Sequence, residues 1–281
     1  MFNKKSTWIV FSVVSILFCI IAYKTFPKAF PILNINLEMS RDEALAKAED
    51  LSKQYKLGPE GSDKVATFGV DQEAQNFIEL DQGGADKFIE VLANKYYEAY
   101  SWQVRLYKPG EVNEAWFTFT PTGEVYGFSE KLSDDLYIES SSEISALNTA
   151  ESIAQSKWNV DFTHYELVEQ SQDIKPSDRT DHTFVYKRTD INLGEEGEYR
   201  LKLVLSGNKL TEIKRFIKIP ETFDRRYEEM RSSNNTIATI ASYSMFLLYV
   251  LGGIIGGLFL LNRRRWLIWK SAIYWAIFIA V

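Results

Sequence analysis

The chain contains two histidines, His164 and His182, and each has an aspartate close by in sequence, Asp161 and Asp181. Imidazole nitrogens and carboxylate oxygens are metal ligands, so a metal site is the first chemistry to weigh. The spacing argues against it. The two histidines are eighteen residues apart on segments that read as strands, a separation matching no ligand pattern. The single cysteine, Cys19, lies in a distant apolar run and cannot assist. Surface or strand-edge histidines are the better reading.

Two carboxylate pairs, Asp134-Asp135 and Glu195-Glu196, offer oxygens to a cation. A calcium loop needs about six oxygens at fixed spacing, and solvated turn charge explains both pairs more simply. The triplet Asn234-Asn235-Thr236 is formally a glycosylation acceptor but borders an apolar stretch, too close to a membrane for that chemistry. Nucleophile-elbow, phosphate-loop, dinucleotide and zinc-helix patterns are missing from any supporting context. The residues therefore assign no catalytic group, no cofactor and no metal ligand. Aromatic residues make up 14% of the chain, and Trp102, Trp116 and Trp158 could line a peptide groove, although core packing accounts for most of this load. A free strand edge that takes up a partner's strand is the second way such a chain could bind a peptide or protein.

The elements that must position these residues are organised around Ile237 to Leu261, a run with no charged residue that ends at Asn262 and the cluster Arg263, Arg264 and Arg265. As a helix it would be roughly 37 Å long at about 1.5 Å per residue. That is enough to cross a hydrocarbon layer of about 30 Å, so lipid is an expected partner. A second apolar run, Trp8 to Tyr23, follows Lys4 and Lys5 and reads as an uncleaved anchor spanning about residues 8–26, because Lys24-Thr25-Phe26-Pro27 offers no small-x-small cleavage site. Lys4, Lys5 and the three arginines would lie on one side of the membrane, against Lys24, Lys28 and Arg231 on the other. The intervening domain is therefore expected to be extracytoplasmic, with the inverted topology as the alternative, since long domains partly escape this rule. Within the second span, Gly252/Gly256 and Gly253/Gly257 form two small-x3-small patterns that allow close approach of a further membrane helix.

Charge is segregated along the chain. All 38 acidic residues lie between Ile32 and Asn235, with 24 basic residues, a net charge of −14 for that region. Nucleic-acid phosphates would be repelled, so nucleic acid is not expected as a partner; the balance suits a solvated surface, the simpler reading, or basic partners.

The region reads as α+β. Ser40 followed by Glu43 is a capping box, and Ala44, Leu45, Ala48, Leu51 and Tyr55 then share one helical face. Val65 to Leu80 suggests a strand pair, and an amphipathic helix follows Gly83-Gly84. Three strands, Trp102 to Tyr107, Ala115 to Thr120 and Glu124 to Ser129, are separated by Lys108-Pro109-Gly110 and Pro121-Thr122-Gly123 and form a meander. The same order recurs. A helix bearing Ala146, Ala150, Ile153, Ala154 and Trp158 precedes strands Phe162 to Val168, Thr183 to Lys187, Tyr199 to Leu205 and Lys209 to Ile217, with Ser206-Gly207 matching Thr122-Gly123. The fold expected is two helix-plus-antiparallel-meander modules between transmembrane helices. Its segments are an anchor (1–31), modules at 32–139 and 140–220, a juxtamembrane helix (221–236), a span (237–261), and a basic loop with the start of a third, incomplete span (262–281).

A helix lying on such a meander resembles the PepSY-type module, which implies a regulatory, binding or inhibitory element outside the membrane. Tyr227 to Ile237 (YEEMRSSNNTI), the Leu251-Gly252-Gly253 span, the arginine stop and the Trp266 and Trp269 start of a further span resemble the CPBP family of bacterial intramembrane proteases, the CAAX-protease and bacteriocin-processing group. That resemblance implies the N-terminal sensing part of an endopeptidase in the bacterial cell membrane, with a catalytic core of further transmembrane helices beyond residue 281. The family signature, Glu-Glu-x-x-x-Arg on a membrane helix, is not met. Here Glu228-Glu229 is followed by Met230-Arg231, two residues too short, so no catalytic residue is carried over. The competing expectation is a non-catalytic membrane-anchored binding or inhibitor module.

Overall fold

The computed structural model describes residues 5–193, 197–266 and 269–280. The chain divides after Pro220 into two compact units.

The first unit begins with helix α1 (Lys5–Ala29), which passes through Pro27 and is followed by a 3-10 turn at Pro31–Asn34. Helix α2 (Arg41–Tyr55) starts as expected. The Ser40 hydroxyl accepts from Glu43 N–H at 3.3 Å, and a Glu43 carboxylate oxygen accepts from Ser40 N–H at 2.7 Å. Strand β1 (Asp63–Val70) follows, but the second strand of the expected Val65–Leu80 pair is instead helix α3 (Gln72–Asp81). Asp71 is the reason. Its carboxylate accepts from Ala74 N–H at 3.0 Å, capping a helix whose Ala74, Phe77 and Ile78 are buried on one face. Helix α4 (Gly84–Ala93) comes next, burying Phe88 and Val91. The meander is β2 (Tyr100–Tyr107), β3 (Glu114–Phe119) and β4 (Val125–Lys131).

Helix α5 (Glu143–Trp158) opens the second module, followed by β5 (Tyr165–Ile174), β6 (Thr180–Arg188), β7 (Glu198–Ser206) and β8 (Lys209–Lys218). The β5 strand runs six residues further than the sequence pattern suggested. Tyr165 and Leu167 of this edge strand pack against the core, but from Val168 onward it is exposed on both faces and no alternation marks its end. Gly123 (φ +94°) and Gly207 (φ +62°) occupy the matching β3–β4 and β7–β8 turns, where positive φ favours glycine.

The two modules form one sheet. Its order is β1-β2-β3-β4-β8-β7-β6-β5, antiparallel throughout, so the last strand of each module pairs with the last strand of the other. Alternation sends Val104, Leu106, Phe117 and Phe119 of one half and Phe184, Leu201, Leu203 and Leu205 of the other to one face, all at most 1% exposed. Against them lie Ala44 and Ala48 of α2 and Ala146, Ala150 and Ala154 of α5, each fully buried. Their small side chains bring both helices close to the sheet, and the core is a single cluster spanning both modules. The first module alone carries the α3–α4 insertion.

In the second unit, α6 (Glu221–Leu247), a π-helical stretch (Leu248–Ile255) and α7 (Gly256–Arg263) follow one another without a break, and α8 (Trp269–Ala280) follows after Trp266. The helical run Glu221–Arg263, of 43 residues, and the helix Lys5–Pro27, of 23, are long and apolar enough to cross a membrane. Gly252 and Gly253 lie in the π-helical stretch, and Gly256 and Gly257 open α7, so both small-x3-small pairs straddle the change of helix type.

Candidate functional site

The residues singled out first do not converge. His182 is buried, stacked on Phe184 with ring centroids 6.2 Å apart, and its Nε2 is 3.2 Å from the Ser141 carbonyl oxygen. His164 is exposed. Asp181 is held by Arg179 at 2.9 Å, and Asp161 accepts from the N–H and hydroxyl of Thr163, which hold its carboxyl below the usual carboxylate range. Among the described residues no group of three or more His, Cys, Asp or Glu side chains could hold a metal ion. Asp134 pairs with Lys175 at 3.4 Å, whereas Glu195, Glu196 and Lys4 lie outside the described residues. Asn234, Asn235 and Thr236 are on α6, as are Glu228, Glu229 and Arg231. Lys5 begins α1, Arg263 ends α7, and Arg264 and Arg265 follow it. Trp102 is a core residue whose indole N–H donates to the Met39 carbonyl at 3.0 Å, and Trp116 lies beneath the Arg105 guanidinium on the opposite sheet face. Of the three tryptophans named from sequence, Trp158 lines the cavity described next.

That cavity arises where the modules meet. Strands β4 and β8 pair at Phe128↔Ile213 and Ser129↔Glu212 and no further. Tyr126 falls in the bulge of β4, between Val125 and Gly127, which pair with Phe119 and Thr118. Arg215 of β8 fills the split, donating to the Tyr126 carbonyl oxygen with its guanidinium 5.1 Å from the Tyr126 ring. Gly127 is required at the seam, because a Cβ there would stand 2.4 Å from the Ile213 carbonyl oxygen. The C-terminal ends of both helices close over it. Trp158 of α5 stacks on Tyr55 of α2 at 4.6 Å and on Phe128 at 4.2 Å, and the Tyr55 hydroxyl donates to the Lys157 carbonyl at 3.2 Å. Beside them the buried Glu130 carboxylate receives Gly58 N–H at 2.8 Å and pairs with Lys209 at 2.5 Å.

The cavity measures about 610 Å³ and its walls are rich in tyrosine. The Tyr97 ring stands 6.2 Å from Tyr126 and 6.2 Å from Tyr199, and its hydroxyl donates to Asp71 at 2.7 Å. Burial raises the pKa of all three phenols, so they stay protonated; at Tyr97 the Asp71 charge adds to this, and at Tyr199 the nearby Arg188 partly offsets it. Burial also raises the Glu98 carboxyl, opposed by Lys95 and reinforced by Glu124. Arg188 is held by Asp190 at 2.8 and 3.1 Å, and Arg200 by Glu198 and Glu169. On the other side of Tyr97, Glu98, Tyr126 and Arg215, a second cavity of about 690 Å³ is lined by Gln103 and Thr118 of the sheet and by Gln72 and Glu73 at the start of α3. The sequence does not display this site because its residues come from seven separate elements, α2, α5 and β4 to β8, and from the loops between elements. The one signal available was the recurrence of tyrosine next to charged residues near strand ends.

No protein-family model and no curated protein matches the chain. Among solved structures, the C-terminal domain of Bacillus megaterium YpeB is similar, with a TM-score of 0.36 and 14% identity, covering 66% of this chain and 70% of that one. A likeness that distant assigns no function. The chain's own elements define a two-module α+β domain, flanked in sequence on both sides by helices long and apolar enough to cross a membrane.

Proposed function

We propose that this chain is a membrane-anchored sensing protein. Its α+β domain binds a ligand outside the membrane and passes the change through α6 to the span. The observation that carries the reading is the unbroken helical run Glu221–Arg263, which begins two residues after the last strand of the sheet and ends at the arginine cluster. A continuous helix transmits rotation or displacement along its length, whereas a flexible linker would absorb it. The seam cleft supplies a binding site of the size common in ligand pockets, with aromatic and charged side chains sharing its walls. The flanking bases favour an extracytoplasmic domain with α1 and the α6–α7 run as spans. Exposed Glu111, in the β2–β3 turn, is the place to test this, since neighbouring Gly110 has φ +85° and would be strained as cysteine. With Glu111→Cys, a membrane-impermeant thiol reagent should label intact cells; protection there inverts the topology.

The finer reading makes this domain a PepSY-like regulator of a CPBP-type intramembrane endopeptidase. It is supported by the helix-on-meander modules and by the strings Tyr227–Ile237 and Leu251–Gly253. Glu228, Glu229 and Arg231 keep their two-residue discrepancy from the family signature, and this chain supplies no catalytic residue to the proposal. Reading the coding sequence past Val281 tests it. Further spans bearing Glu-Glu-x-x-x-Arg support the protease, and a stop codon leaves a binding module.

A further inference from the structure

The seam cleft carries its own indication of what it binds. Tyr199 is 4% exposed, yet its hydroxyl has no hydrogen-bond partner among the described residues, and it lines the cavity. A buried polar group left unmatched is costly to fold, and each such group calls for an explanation. Register places Arg215 next to it. Tyr199 pairs with Ile217 and Leu201 with Arg215, so Tyr199 and Arg215 are diagonal neighbours on one sheet face, about 7–8 Å apart at Cα, with long side chains able to converge.

The charges on the cavity wall narrow the ligand. Five basic residues line the cavity, and two of them, Arg188 and Arg200, already hold carboxylates. Lys95 and Lys157 are offset by the lining carboxylates Glu98 and Glu124. That leaves Arg215, which forms no ion pair among the described residues and spends one N–H on the Tyr126 carbonyl oxygen. The site therefore has one positive charge to match, presented as a planar fork suited to a carboxylate. A phosphate dianion would face Glu98 and Glu124 with a second charge uncompensated. Tyr55, Trp158 and Tyr165 give the rest of the wall an aromatic surface.

Resting on the reading of this cleft as the sensing site, we propose that its ligand is a monocarboxylate on an apolar or aromatic body, with the carboxylate received by the Arg215 guanidinium and the Tyr199 hydroxyl. The carboxylate could be the C-terminus of a short peptide or that of a free small acid, and the test separates the two. The full chain in detergent micelles is titrated with 3-phenylpropionate, with the tripeptide Ala-Ala-Phe, with its C-terminal amide, and with inorganic phosphate. Binding is read from tryptophan fluorescence, assigned to the cleft by its loss in Trp158→Phe, and from thermal stabilisation. Tyr199→Phe removes a hydroxyl that bonds nothing among the described residues, so this variant keeps its fold. It should bind the carboxylate probes about 10- to 100-fold more weakly, the range for a lost hydrogen bond to a charged group. Tighter binding of the tripeptide than of 3-phenylpropionate identifies a peptide terminus, and the reverse identifies a free acid; both support the carboxylate assignment. Equal binding of amide and free acid, unchanged affinity in Tyr199→Phe, or preference for phosphate overturns it while leaving the cleft a binding site. A flat response to all four probes overturns both the assignment and the cleft as the sensing site.

Discussion

Substituting Gly127 by alanine should loosen the joint between the two modules. The added Cβ would meet the Ile213 carbonyl oxygen at 2.4 Å, and since that atom belongs to the backbone of β8, a side-chain rotation cannot relieve the clash. Ordinary contact needs about 1 Å more, so β4 and β8 must separate where Phe128↔Ile213 and Ser129↔Glu212 hold the halves together. Overpacking of a well-packed site costs about 1–3 kcal/mol, and the rigid obstacle places this change near 3 kcal/mol. For a domain of about 200 residues, with roughly 2–4 °C per kcal/mol, the unfolding midpoint should drop by about 6–12 °C. Thermal unfolding of the full chain in detergent, followed by near-ultraviolet circular dichroism, measures this. Gly69→Ala is the matched control, because that glycine lies in β1 with nothing within 4 Å of a built Cβ. If Gly127→Ala unfolds within a degree of Gly69→Ala, the close approach at the seam is not a constraint and the argument fails.

Two further predictions concern buried charge. Glu98 has its carboxyl raised, first by burial, so its contribution to stability is complete below the ordinary glutamate value of about 4.3 and declines as pH rises through the raised value. Glu98→Gln should therefore be more stable than the parent at pH 7 and lose that advantage by pH 4; a constant difference in melting temperature across that range would rule out the ionisation as cause. Arg179 is 1% exposed, holds Asp181 and donates to the Ser133 and Leu136 carbonyls at 2.8 and 2.9 Å, tying down the linker between the modules. Arg179→Met should cost about 3–5 kcal/mol in denaturant unfolding, because it strands a carboxylate and two carbonyls. Arg179→Met/Asp181→Leu should recover part of that loss.

Features that depend on neighbours along the chain are legible in the residues alone. The Ser40–Glu43 cap, the strand alternation of Trp102 to Thr120, the glycine turns at Gly123 and Gly207, and the apolar helices flanking an acidic domain each express a local period or a local hydrogen bond. The Asp71 cap is local too, and it turns an apolar run whose pattern suits a strand into a helix. That the modules join through β4 and β8 emerges from the folded sheet, because the pairing spans more than eighty residues and rests on the absence of a side chain at Gly127. The folded sheet decides the cleft too. Tyr97, Tyr126, Tyr199 and Arg215 are ordinary residues in their own segments, and their common wall exists because two strands part at a bulge. Period and capping are one-dimensional properties that a chain displays openly, whereas a site assembled from seven elements appears only when the sheet brings them together.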